Sequence, residues 1–269
     1  MSEPHFLTHI VCYFYLVPTM FKKDRDLTER SKTLLKNKEV RSLKAEIVKQ
    51  FPNVQEEELN SVIPNKADIT LTKLANKTLL YSIDGVVLFF DVNARNNLFP
   101  ALPFLWRFPN ALPTLIIYSP VSEFVLRGAD LMTPGLCTSL LPEMAKLGLR
   151  EGSKACVRIV GNPLPFAVGD WRFYTSILAD GVRHKGRALT VHHVYGDLLS
   201  TSGVVPNSGF GPSRIYPIET EAAVGELAQH DMADEGSDDS EDEEKTGEEE
   251  KEATETVEET AEQGALFCQ

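Results

Sequence analysis

The feature that most constrains this chain is the acidic composition of its last 51 residues. Residues 219–269 contain 20 Asp and Glu but two Lys and Arg, so they carry a charge of −18. Such a segment repels itself and has little apolar surface to bury, so we predict that it is a disordered acidic tail. Within it, Ser237 and Ser240 directly precede acidic residues and are candidate phosphorylation sites. A folded structure is therefore expected only in the residues before the tail.

The residues before the tail are basic, although the chain as a whole is acidic. Residues 1–218 contain 25 Lys and Arg against 19 Asp and Glu, a charge of +6, whereas all 269 residues together carry −12. This split excludes a uniformly acidic globular protein and leaves a basic body that is able to approach nucleic acid. The four cysteines are far apart and form no C-x-x-C pair, which argues against a structural zinc site and against disulfides. We expect no metal and no cofactor.

The first 19 residues differ in composition from the rest of the basic body. Residues 1–19 are apolar, carry one acidic side chain and are followed by Met20, where the composition becomes that of a folded domain. We interpret them as an extension or an alternative start rather than as core. Their longest apolar run, residues 10–17, is shorter than the roughly 20 residues that a membrane helix needs. It also lacks the basic start of a secretory signal, so we expect a cytoplasmic protein with no membrane partner.

Hydrophobic periodicity predicts an α+β domain over residues 20–112. Apolar residues at helical spacing predict a helix over 39–51, and a second helix is expected over 56–62. Asp84 and Gly85 separate two β-rich runs, which is a strong hairpin signal. The remaining expected elements are strands at 69–73, 78–83 and 86–92 and a short helix over 98–106.

A second set of short β-rich runs predicts a small β-barrel over residues 113–200. A short helix is expected over 119–126, and turn glycines separate the strands. The expected strands are 115–118, 155–160, 166–171 and 188–195. Beyond residue 200 the pattern ends, so we interpret 201–269 as a Gly/Ser/Pro linker followed by the acidic tail.

The sequence carries no recognisable catalytic motif. His192 and His193 lie near Asp197 and Ser200, but a catalytic triad assembles through the fold and is not indicated by crowding on one segment. Adjacent residues of a strand also point to opposite faces, so these two histidines do not serve one site. We expect no catalytic residues and no enzymatic activity.

The most informative segment is a glycine-rich turn that follows the helix predicted at 119–126. The helix ends at Arg127, Gly128 permits a chain reversal, and Asp130 is able to hydrogen-bond within its own turn. Such a turn exposes backbone N–H groups to phosphates or base edges, and Pro134 limits its freedom. Spacing alone equally allows a loop that only reverses the chain.

Here the residues resemble a known family. Gly128-Ala-Asp-Leu-Met-Thr-Pro-Gly135 is similar to the signature of the PUA domain, a small RNA-binding barrel. Motifs along residues 20–200 resemble the pre-PUA plus PUA unit of the malignant T-cell-amplified sequence family and, more closely, of the ligatin (eukaryotic translation initiation factor 2D) family. These motifs include Met20-Phe-Lys-Lys23, Leu105-Trp-Arg-Phe-Pro109, Val160-Gly-Asn-Pro-Leu-Pro-Phe-Ala-Val-Gly169 and Arg187-Ala-Leu-Thr-Val-His-His-Val-Tyr195.

The resemblance implies a non-enzymatic translation factor that docks on the small ribosomal subunit. It further implies GTP-independent delivery or release of tRNA at the P site, in reinitiation and in ribosome recycling. The winged-helix and SUI-type domains of ligatin have no counterpart here, so tRNA is an indirect partner and a separate SUI-type protein is a further expected partner. A short isoform, a truncated gene model and a stand-alone module all fit this pattern.

The candidate RNA-binding residues are the glycine turn and nearby cations, although for each cation a solvated surface charge is an equal alternative. They are Lys22, Lys23, Arg127, Gly128, Ala129, Asp130, Met132, Pro134, Gly135, Arg183, Lys185 and Arg187. Two other functions stay open, an accessory module for RNA modification and a protein-interaction or trafficking role.

Overall fold

A computed structural model describes residues 21–182, 184–200 and 204–218. Several predictions lie outside these residues: the extension at 1–19, Arg183, the candidate phosphorylation sites Ser237 and Ser240, and the acidic tail.

The first sheet has five antiparallel strands in sequential order, with three helices packed against it. The hydrophobic stripe of the first helix is buried through Val40, Leu43 and Ile47, which explains why this segment is helical. The strands are β1 (Glu29–Leu34), β2 (Ile69–Leu74), β3 (Leu79–Ile83), β4 (Val86–Asp91) and β5 (Leu98–Pro100), and the helices are α1 (Asn37–Gln50), α2 (Glu56–Val62) and α3 (Leu102–Arg107).

The predicted hairpin and the first two predicted helices of this region are confirmed, and two strands are additional. Asp84 and Gly85 both have positive φ, 50° and 82°, as a two-residue turn between β3 and β4 requires. The edge strand β1 escaped prediction because it is exposed throughout and shows no buried face. The prediction of a helix over 98–106 is wrong at its start, because residues 98–100 pair with β4 before the helix begins.

The second sheet closes into the expected small barrel, so the α+β fold is confirmed. The strands are β6 (Thr114–Ile117), β7 (Leu131–Met132), β8 (Lys154–Ile159), β9 (Ala167–Trp171) and β10 (Arg187–Val194), and the helices are α4 (Ser119–Leu126) and α5 (Leu141–Ala145). The strand order is β6-β8-β9-β10-β7, and a bridge between Ile117 and Leu136 joins β6 to the chain just beyond β7. Gly169 is required in β9 because a Cβ there would lie 2.0 Å from the Thr190 carbonyl oxygen.

The two sheets share a core. Cys156, Val168 and Leu199 from the second half pack into the hydrophobic cluster of the first half. The Trp106 indole donates a hydrogen bond to the Pro165 carbonyl oxygen at 2.9 Å, and the Leu198 N–H donates to the Phe21 carbonyl oxygen at the same distance. Separation of the halves would therefore expose apolar surface and break these hydrogen bonds.

Lys154 lies at this junction. Its ammonium group is 5.2 Å from the centre of the Phe51 ring and 5.3 Å from that of Phe99, and it donates to Gln50 Oε1 at 2.6 Å. Burial lowers the pKa of Lys154 to about 8, against the opposing attraction of Asp170 and other carboxylates.

Residues 204–218 correct the prediction of a linker. They fold back on the barrel, with Phe210 and Ile215 buried, and we call this segment the strap. The Ile218 N–H donates to the Gly161 carbonyl oxygen at 2.8 Å. The glycine and proline content of the strap resembles that of a linker. Gly209 is nevertheless required by packing, because a Cβ there would lie 2.3 Å from the Tyr216 carbonyl oxygen. Glycine and proline residues, which usually indicate a flexible linker, here allow the strap to pack closely.

Candidate nucleic-acid interface

The glycine turn begins where α4 ends. Arg127 is the C-cap of α4, and Gly128 has a φ of 98°, as the predicted chain reversal requires. The Gly128 N–H donates to the Val125 carbonyl oxygen at 2.9 Å, and the Ala129 N–H donates to that of Phe124 at 3.0 Å. These two bonds form a Schellman motif, so the turn has one fixed conformation. Arg127 is the exposed side chain of this turn, whereas Gly128 and Ala129 are buried.

Asp130 points inward and fixes the turn to the barrel. Its Oδ1 accepts a hydrogen bond from the Val191 N–H at 2.9 Å, and its Oδ2 lies 3.1 Å from Arg187 Nε. Burial raises the pKa of Asp130, while the Val191 N–H and the charge of Arg187 act in the opposite direction. Asp130 therefore positions the turn and Arg187, and it does not itself present a surface for a ligand.

The second part of the turn is held by the start of β10 and by Gly186 directly before it. Thr133 donates two hydrogen bonds to the Gly186 carbonyl oxygen, from its N–H at 2.9 Å and from its hydroxyl at 3.2 Å. Met132 pairs with Arg187 across the strands and, like Pro134, is half-buried. Gly135 is buried, and a Cβ there would lie 2.9 Å from Val121 Cγ1, so its role is close packing against α4.

Four of the candidate cations lie at the two ends of this turn. Lys22 donates to the Leu126 carbonyl oxygen at 2.5 Å, at the negative end of the α4 dipole and beside Arg127. Burial lowers the pKa of Lys22, and Asp197 partly opposes this effect. At the other end, Lys185 is exposed and Arg187 is about one-third exposed. Lys23 is exposed on the 3₁₀ turn before β1.

One charged pair near the turn was missed in the sequence. Arg214 of the strap lies with its Nε 2.8 Å from Glu123 Oε1, and Arg127 Nη2 lies 3.9 Å from Glu123 Oε2. Arg214 is the one cation in residues 201–218, and that isolation was the available signal. The glycine and proline content of the segment, which is typical of a linker, hides this signal.

The histidines form two separate pairs. His193 Nδ1 lies 2.7 Å from Asp197 Oδ2 in the core, and His192 Nε2 lies 2.8 Å from Asp170 Oδ2 on the outer side of β10. The Ser200 hydroxyl donates to the Val194 carbonyl oxygen rather than to a histidine. The expectation that His192 and His193 do not serve one site is confirmed. Across the described ranges, no cluster of three or more His, Cys, Asp or Glu side chains is arranged to hold a metal ion.

Family models match both halves of the described chain. A model described as a Pre-PUA-like domain matches residues 21–109, and one described as "elF2D, PUA domain" matches residues 112–198. Translation machinery-associated protein 20 of Saccharomyces cerevisiae is 33% identical over 180 residues, covering 67% of this chain and 97% of that protein. The chain belongs to this pre-PUA and PUA family of translation proteins. The recognition made from the glycine turn and its neighbouring motifs is thereby confirmed.

Longer relatives share the pre-PUA and PUA domains. Eukaryotic translation initiation factor 2D of Mus musculus is 31% identical over 195 residues, covering 71% of this chain. The match spans 32% of the mouse protein, so this chain spans about a third of that relative's length. Among solved structures, a conserved PUA domain protein from Thermoplasma acidophilum has a TM-score of 0.46 at 17% identity, covering 63% of this chain and 97% of that protein.

Because it belongs to this family, the chain is a translation-related RNA-binding PUA protein. In the part of the chain that the structure describes, no helix combines the length and the apolarity that crossing a membrane requires.

Proposed function

We propose that this protein docks on the small ribosomal subunit through its pre-PUA and PUA domains, without a catalytic step. The observation that carries the proposal is the fixed turn at the end of α4, which presents Arg127 to solvent. A cation on a rigid support loses little freedom when it meets a phosphate, so it contributes more to binding than one on a flexible loop. Ribosomal RNA offers phosphates at regular spacing.

The two groups of cations support a binding surface rather than a single contact. Lys22 and Arg127 lie at one end of the turn, while Lys185 and Arg187 lie at the other. Electrostatic attraction would bring the basic body to RNA, and the shape of the turn would select the site. Met132 and Pro134 are the partly exposed apolar residues between the two groups and would contact sugar or base surfaces.

The name of the longer relatives favours a role in translation initiation. One such relative is named a translation initiation factor, and this chain matches about a third of it. We propose that the chain acts in GTP-independent delivery or release of tRNA at the P site, in reinitiation and in recycling. In this proposal the chain supplies docking, and a separate protein with an SUI-type domain supplies the contact with tRNA.

Sedimentation with purified eukaryotic small ribosomal subunits tests docking. We expect the full chain to comigrate with the subunits, and Arg127→Gln to weaken the complex about fivefold, because one phosphate contact is lost. The dependence of affinity on salt should also become shallower by about one unit of log–log slope. Lys73→Gln, which removes one exposed charge from β2, is the control and should change neither quantity.

Two results would reject the proposal. Absence of the wild-type protein from every subunit fraction would reject docking altogether. Equal affinity and an equal salt slope for wild type and Arg127→Gln would reject the turn as the contact.

A further inference from the structure

The strap is docked in a defined register on α4. The Ile215 N–H donates to Ser122 Oγ at 3.0 Å, and the Ile215 carbonyl oxygen accepts from Ser119 Oγ at 2.6 Å. The Ser122 hydroxyl in turn donates to the Ser119 carbonyl oxygen at 2.6 Å. Ile215 itself is fully buried. Two serines on one helix face therefore hold the backbone of a single strap residue on both sides.

The other part of the strap is anchored by aromatic packing. The Phe210 ring lies 5.0 Å from that of Tyr195 and 5.8 Å from that of Trp106, both in edge-to-face geometry. Trp106 belongs to α3 of the pre-PUA half, so the strap contacts both halves of the molecule. The strap also begins beyond residue 198, where the match to the PUA family model ends. It is an addition to the part of the chain that the family models describe.

The register places Arg214 beside Glu123, one helical turn before Arg127. Arg214 Nε approaches one carboxylate oxygen to 2.8 Å in a close ion pair, while Arg127 Nη2 is 3.9 Å from the other oxygen. The side chains of Arg214 and Glu123 are each 32% exposed, whereas that of Arg127 is 69% exposed. The short pair is thus the shielded one, and Arg127 projects into solvent.

Without Arg214, Glu123 would pair with a different cation. A Glu followed four residues later by a cation is the favourable order for an ion pair on a helix, so Glu123 would pair with Arg127. Arg127 would then be neutralised, and a carboxylate would lie where an RNA phosphate has to approach. With Arg214 in place, the three side chains carry a net charge of +1 and the close ion pair with Arg214 occupies Glu123.

We propose that the strap tunes the RNA-binding site, with Arg214 as a positioning residue that holds Glu123 and keeps Arg127 available for a phosphate. This inference rests on the proposed function, because it assigns Arg127 to the RNA contact. It makes the strap, which lies outside the matched PUA domain, a part of the RNA-binding site. Arg214 acts through Glu123 and does not itself bind the RNA.

A double-mutant cycle on purified small ribosomal subunits tests this role. We expect Arg214→Gln to weaken binding about threefold to fivefold, because Glu123 then competes for Arg127. Adding Glu123→Gln to Arg214→Gln should return the affinity to within about twofold of wild type. Glu123→Gln alone should tighten binding by less than it does in the Arg214→Gln background, and this difference measures the competition.

Controls separate the possible failures. Arg214→Lys should keep near-wild-type affinity, and the melting temperature of each variant reports whether the strap remains docked. If Arg127→Gln weakens binding but Arg214→Gln does not, the positioning role is wrong and the proposed function stands. If Arg214→Gln with Glu123→Gln stays as weak as Arg214→Gln alone, Arg214 does not act through Glu123, and the inference fails. If Arg127→Gln has no effect, the proposed contact itself is wrong.

Discussion

At the scale of single residues, the turn after α4 depends on one glycine. Gly128 has a φ of 98°, a region that side chains with a branched Cβ rarely adopt. We expect Gly128→Val to lower the free energy of unfolding by about 1–3 kcal/mol, as measured by urea denaturation. Gly128→Asn is the matched variant, because Asn tolerates left-handed backbone better, and it should lose less stability. Equal losses for Val and Asn would contradict a conformational cause.

Lys154 leads to a prediction about pH. Burial lowers its pKa to about 8, whereas the unfolded chain keeps the ordinary value of 10.5. Between these values the unfolded state binds more protons than the folded state, so the stability of the protein should rise with pH across this window. Below pH 8 the folded protein holds a charged ammonium at the junction between its halves, which opposes folding.

Comparison with a variant isolates this contribution. Lys154→Met should lack the rise that wild type shows between about pH 8 and pH 10, when unfolding free energies are measured by urea denaturation. Lys73→Met, at an exposed position of β2, should retain the rise. Parallel pH profiles for wild type and Lys154→Met would show that the lysine is solvated in the folded state.

The sequence predicts one part of the candidate site and not another. The positive φ of Gly128 and the end of α4 follow from local rules, since a helix followed by glycine is a local signal. The inward direction of Asp130 does not follow, because its partners Val191 and Arg187 are about 60 residues away. The sequence therefore predicted where the turn lies but not which of its residues face solvent.

At the scale of secondary-structure elements, local signals predicted several segments with one buried face well, but they did not predict α5, in which Leu141 and Met144 are buried. The predicted ranges for α2 and α4 match the observed helices, and the hairpin at Asp84 has its expected geometry. Prediction failed for β1, which is exposed throughout, and for the strap. The strap is stabilised by contacts with α4 and with Gly161, and no window of its own sequence contains that information.

We expect the strap to contribute to the free energy of unfolding, because it packs into the fold. Ile215 is fully buried between α4 and the barrel, so Ile215→Ala should lower the free energy of unfolding by about 2–5 kcal/mol. Val205→Ala is the control within the same segment, because Val205 is 56% exposed and should lose little. Chemical denaturation of both variants beside wild type measures the difference. Similar small losses at the two positions would restore the interpretation of the segment as a linker.

At the scale of the whole molecule, a basic body is followed directly by an acidic segment. The body carries +6 and residues 219–269 carry −18. The last described strap residue, Ile218, is hydrogen-bonded to Gly161 on the barrel, so the acidic segment starts from the PUA domain that also carries the turn. Covalent attachment gives its carboxylates a high effective concentration near the cations of the body. We predict that they compete with RNA phosphates for those cations.

Deletion of residues 219–269 separates this competition from a solubilising role. If the acidic segment competes, the shortened protein should bind small ribosomal subunits about threefold or more tightly at about 50 mM salt, where screening is weak. The advantage should shrink as salt rises. Phosphorylation of Ser237 and Ser240 adds about −1.5 to −2 charges each and should weaken binding of the full chain while leaving an alanine variant at both serines unaffected. Identical affinities of the full and shortened chains at low salt would instead assign the segment to solubility alone, because competition for the same cations has to appear where electrostatic attraction is strongest.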